Sequence, residues 1–144
     1  MAQPGYSQRN SFKPKYEVIL KAKYGEQLSS QCSRDFPGNV DSFFSPTKVQ
    51  VARLLQHFKS VVKLGLGESP NLLKKYGYQY IGVVINDTPF IYVNAFITDS
   101  INLKSGWEEY PFMACDGGNR YWGVLFCLKT RRFSQLAING GYYH

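Results

Sequence analysis

The chain predicts an α+β fold in which one main helix packs on a curved antiparallel sheet of four to five strands in meander order. Three observations predict it. One long apolar stripe at helical spacing runs between a capping residue and a glycine stop. Two β-rich runs flank a compact turn, and several more short strands with brief connections fill the second half.

Residues 16–24 alternate Tyr16, Val18, Leu20, Ala22 and Tyr24 against a more polar set, which favours a strand over a short helix. Residues 29–44 are rich in Ser, Asp, Asn, Gly and Pro and read as a loop. The helix is expected from about Pro46 to Leu64. Ser45 fits as N-cap, Pro46 fits the first helical position, and Gly65 supplies the stop. Val51, Leu54, Leu55, Phe58, Val61 and Val62 form its apolar stripe, while Lys48, Arg53, Gln56, Lys59 and Lys63 face away. Burying six such side chains is worth on the order of 10 kcal/mol gross, so the helix needs a large apolar partner.

Residues 78–85 and 90–97 supply it, joined through Asn86-Asp87-Thr88-Pro89. Splitting them by parity puts Ile81, Val83, Ile85, Ile91, Val93, Ala95 and Ile97 on one face. Tyr78, Tyr80, Val84, Phe90, Tyr92, Asn94 and Phe96 fall on the other. The aliphatic face is the expected seat of the helix, which turns the ring-bearing face outward. A second hairpin is expected from Phe112–Cys115 through Asp116-Gly117-Gly118-Asn119 to a strand over 120–128. Residues 129–132 then form a basic loop before a last strand at 133–139. A helix cradled by such a sheet has a cystatin-like shape, an analogy of form alone.

The 144 residues are 44% apolar, enough for a core in one domain, and no stretch is long and apolar enough to span a bilayer. Residues 1–14 hold two prolines and few large aliphatics, and read as a flexible basic arm ahead of a single domain over 15–144. They contain no signal-peptide apolar core, which leaves the compartment open; an exported protein trimmed at its N-terminus reads the same. The net charge of +7 is uneven: residues 48–75 carry six Lys/Arg against Glu68, while residues 76–119 carry five acids against Lys104. The excess reads first as solubility. Cys32, Cys115 and Cys127 contain no C-x-x-C pair. In the expected hairpin, Cys127 lies about seven residues along from Cys115, roughly 23 Å away, so those two cannot bridge and buried free thiols are the expectation.

Two histidines and no His/Cys/Asp cluster argue against a metal site, and no cofactor or catalytic residue is assigned. Gly65-Leu66-Gly67 follows a helix and is a stop, not a phosphate loop. Glu108 and Glu109 are adjacent and on a strand would face opposite ways, so they make no acid/base pair. The feature above background is aromatic: 11 Tyr and 10 Phe. Tyr78, Tyr80, Tyr92 and Asn94 form the expected contact surface, with Trp122 and the Arg131-Arg132 loop at its rim.

Ile91-Tyr92-Val93-Asn94-Ala95-Phe96, Trp107, Asp116-Gly117-Gly118, Tyr121-Trp122-Gly123-Val124, Phe133-Ser134 and Asn139-Gly140 form a string over residues 78–141. It resembles a group of small uncharacterised bacterial proteins, many of them exported or lipid-anchored in appearance. The resemblance implies the fold and favours an envelope location, and carries over no site residue. The functional expectation is a non-enzymatic domain that recognises another protein, of the inhibitor or immunity-partner kind. The alternatives are sequence-tolerant nucleic-acid binding through Lys48, Lys59, Lys63 and the basic arm, and a cysteine-dependent hydrolase built on Cys115.

Overall fold

The computed structural model describes residues 11–103 and 106–140. It contains strands β1 (Glu17–Ile19), β2 (Val40–Phe44), β3 (Tyr76–Ile85), β4 (Thr88–Ile97), β5 (Tyr121–Cys127) and β6 (Phe133–Ile138), with helices α1 (Gly25–Ser29) and α2 (Lys48–His57). The fold is α+β, and β3-β4-β5-β6 form the expected meander. The sheet has six strands and is mixed. β1 pairs parallel with one half of β3, while β2, which lies inside the expected 29–44 loop, pairs antiparallel with the other half.

The β3–β4 turn is tighter than expected. Ile85 pairs with Thr88, and only Asn86 and Asp87 form the loop, at φ 51° and 62°. Positive φ at both positions suits the twist of a two-residue hairpin. This register corrects the face assignment. Residues directly opposite in an antiparallel pair share a face, and Tyr78 stands opposite Ala95 and Tyr80 opposite Val93. Even positions of β3 therefore join odd positions of β4, and no purely aliphatic face exists.

The helix docks on the side that carries Tyr76, Tyr78, Tyr80, Ile91, Val93 and Ala95, extended by Trp122, Val124 and Phe126 of β5. Val51, Leu54, Phe58, Val61 and Val62 pack over it, as the stripe predicts. The expected 46–64 helix is α2 followed by a 3-10 run at Phe58–Leu64, and the cap is Thr47, not Ser45. Phe12 also joins this core, and its N–H donates to the Leu55 carbonyl at 3.0 Å. Residues 11–14 of the expected arm thus reach the domain; residues 1–10 lie outside the described residues.

The other side of the sheet is covered too. Ile81, Val83, Tyr92 and Leu125 lie beneath Leu20, Leu28, Phe36, Phe43 and Met113, supplied by the β1–α1 connection, α1, β2 and two loops. Phe112–Cys115 forms no strand, because β5 already has β4 on one edge and β6 on the other. That segment instead crosses this second face. Phe112 stacks on Phe96 with ring centroids 4.4 Å apart, and Cys115 is joined to Cys32 by a disulfide.

Candidate functional site

The expected contact surface is interior. Tyr78, Tyr80 and Trp122 have no exposed area, Tyr92 is 1% exposed and Asn94 2%. The physical reason is the register: Tyr78, Tyr80 and Trp122 face the helix, while Tyr92 and Asn94 face the opposite layer. Each buried phenol has a partner. The Tyr78 hydroxyl donates to the Leu73 carbonyl at 2.6 Å and the Tyr80 hydroxyl to Glu17 Oε1 at 2.8 Å. Burial raises the pKa of both, and the Glu17 carboxylate adds to the rise at Tyr80.

Tyr92 and Asn94 belong to a polar network that also takes in Arg34. Arg34 Nε donates to the Tyr92 hydroxyl at 3.1 Å, Nη1 to Asn139 Oδ1 at 2.8 Å and Nη2 to Asn94 Oδ1 at 2.5 Å. Asn94 Nδ2 continues to Gln79 Oε1 at 3.0 Å and to the Phe112 carbonyl at 2.8 Å. Asn139 Nδ2 donates to the Ala114 and Asp116 carbonyls at 3.0 and 2.8 Å. Gly123 makes room for this arrangement, since a Cβ there would collide with the Tyr92 phenol. Burial raises the Tyr92 pKa, while the Arg34 charge and its hydrogen bond pull the other way. All three acceptors on the guanidinium are neutral, so the network serves to pin the 30–39 loop and the 112–117 segment onto the sheet.

The disulfide reinforces that pin. Cys32 and Cys115, with Cα atoms 5.1 Å apart, are separated by 83 residues. Closing so long a loop is worth about 4.5 kcal/mol in the chain-entropy account. Both residues are exposed, which corrects the expectation of buried free thiols. While the bond is formed, Cys115 holds no thiolate, the form that the cysteine-hydrolase alternative requires. Cys127 is free and half-buried. Burial pushes its thiol up, but the Thr130 side chain, the Thr130 and Lys129 backbone groups and the Lys129 charge outweigh this, leaving it below its ordinary value.

Of the expected site residues, Arg131 and Arg132 are exposed. They sit in the β5–β6 turn, where Arg131 takes φ 59° and its N–H donates to the Cys127 carbonyl at 2.8 Å. The turn meets the end of α2 and the 3-10 run that follows it. Arg131 and Arg132 line an open groove of about 500 Å³ with Lys59, Gln56, His57 and Ser60, and Leu64 and Phe133 supply apolar wall. Among the described residues, no carboxylate lines it. His57 stacks on Phe126 at 6.2 Å, and its buried Nε2 has no partner among the described residues. The groove unites two separate sequence features, the acid-free helix face and the basic turn.

The acidic segment lies elsewhere. Glu108 and Glu109 directly precede Tyr110, which is 49% exposed and packs edge-on against Tyr24 at 5.3 Å. A second groove, of about 430 Å³ and mainly apolar, runs between β1 and α2 past Val18, Ile19, Val51 and Leu55. Among the described residues, no group of three or more His, Cys, Asp or Glu side chains could hold a metal ion, and no helix is long and apolar enough to cross a membrane. No family model, no curated protein and no solved structure matches the chain.

Proposed function

We propose that the protein is a non-enzymatic binding module that recognises an acidic segment of another protein through the groove of Lys59, Arg131 and Arg132. The observation that carries this reading is the convergence of three cations from two elements on one groove in which, among the described residues, no acid takes part. Like charges gathered without a counter-ion repel one another, and a carboxylate-rich partner would relieve that cost while steering its own approach. The two arginines suit bidentate carboxylate contacts, and Leu64 and Phe133 give an acidic peptide apolar surface to cover.

A single-stranded nucleic acid would also find cations here. It needs aromatic faces on which bases stack, and both rings in the groove wall pack inward, Phe133 half-buried against Phe58 and Phe126 and His57 stacked on Phe126. The exposed Tyr110 stands beside glutamates instead.

The test titrates the full chain with a fluorescent oligoglutamate peptide and, separately, with a single-stranded oligonucleotide of equal charge. A Lys59→Glu/Arg131→Glu/Arg132→Glu variant is expected to bind the peptide at least ~10-fold more weakly, a rim-charge effect that shrinks with salt. Equal binding by parent and variant would overturn the reading. Tighter binding of the oligonucleotide than of the peptide would transfer the groove to nucleic acid.

A further inference from the structure

Residues 30–39 contain no helix or strand, so the loop is held by its side chains, the disulfide and a few backbone hydrogen bonds at Ser30 and Ser33. Two residues past Cys32, the Arg34 side chain enters the socket of Tyr92, Asn94 and Asn139 oxygens. A guanidinium taken from water into a socket of neutral acceptors gains no ion-pair energy to offset its lost hydration. Its seating therefore depends on how closely the backbone holds it to the socket. The Cys32–Cys115 bond supplies that closeness, because Cys115 is next to Ala114 and Asp116, whose carbonyls accept from Asn139 Nδ2. Ser33 adds only hydrogen bonds: its Oγ bonds Asp116, and its carbonyl accepts from the Gly140 N–H at 2.8 Å. Both cysteines are exposed, so an external thiol can reach the bond.

We propose that the Cys32–Cys115 disulfide is a redox latch whose reduction withdraws Arg34 from its socket and uncovers Tyr92, Asn94 and Asn139. The reductant is a small dithiol. One of its thiolates attacks a protein sulfur to give a mixed disulfide, and its second thiol resolves that intermediate. The protein gains two electrons and two protons as two thiols, and the reductant leaves as a cyclic disulfide. The helix-side core, which shares no residue with the latch, stays packed.

Trypsin reads the latch directly, because cleavage after Arg34 needs that side chain free. The full chain is digested briefly with and without dithiol, and the Arg34–Asp35 bond is followed by mass spectrometry. Near-UV circular dichroism is recorded alongside. Reduction is expected to speed this one cleavage at least ~10-fold, as local opening does, with the near-UV signal largely kept. A Cys32→Ser/Cys115→Ser variant should be cut at the fast rate under both conditions. An unchanged rate at Arg34 would overturn the proposal. So would general acceleration at all sites with loss of the near-UV signal, which would make the bond a staple of the whole fold.

Discussion

Gln79 places its whole side-chain amide in the interior. Nε2 donates to the Trp107 and Tyr110 carbonyls at 2.7 and 2.8 Å, and Oε1 accepts from the Phe112 N–H and from Asn94 Nδ2. Replacing it by leucine keeps the volume but strips the Trp107 and Tyr110 carbonyls and the Phe112 N–H of their partner and leaves Asn94 Nδ2 only the Phe112 carbonyl, and unpaired buried polar groups cost more than a hydrogen bond contributes. Gln79→Leu is expected to lose about 3–5 kcal/mol in urea unfolding with little change in m-value; a loss under about 1 kcal/mol would mean water replaces the lost partners. Part of this network is visible in the sequence. Gln79 between Tyr78 and Tyr80, and Asn94 between Val93 and Ala95, are lone amides in apolar strands, and such residues are hydrogen-bonded interior groups more readily than contact residues. Arg34 carries no such signal, because it lies in a loop without periodicity and its partners are 58 to 105 residues away.

Helix α2 shows what local patterning can and cannot locate. Its apolar stripe is legible and packs as the spacing requires. Its start is ambiguous, because Ser45, Pro46 and Thr47 all suit a helix entrance. Ser45 Oγ is committed to the Leu20 carbonyl at 2.9 Å, and Thr47 forms a capping box with Gln50 through bonds of 3.1 and 2.9 Å. Thr47→Ala should therefore cost about 1 kcal/mol of thermal or chemical stability, while leaving the sheet's circular dichroism unchanged. Strand β2 was hidden within a turn-rich composition, since its pairing with β3 is set by long-range contacts. The face assignment of the central hairpin failed on arithmetic: across a two-residue loop, opposite residues have opposite parity, so tyrosines and aliphatics share each side.

At the scale of the molecule, covering both faces of the sheet has two consequences. Much of the aromatic wealth of the chain becomes core, and the proposed recognition groove lies at the periphery, where Lys59, Arg131 and Arg132 gather from two elements. The chain's uneven charge was legible as basic and acidic segments. Their spatial grouping was not, because it depends on the β5–β6 turn returning to the end of α2. Burial raises the pKa values of Tyr76, Tyr78, Tyr80 and Tyr92 above the ordinary 10.0. For groups raised in the folded state, stability is complete below the unfolded value and falls as pH climbs past it, because the unfolded chain then releases protons that the native chain retains.

Tyrosine absorbance at 295 nm, recorded from pH 8 to 12.5 together with far-UV circular dichroism, tests the interior placement most directly. Under this placement, Tyr76, Tyr78, Tyr80 and Tyr92 are expected to ionise together, in one step that coincides with alkaline unfolding. Smooth ionisation of all the tyrosines near pH 10 with the fold intact would put those rings on the surface and contradict it.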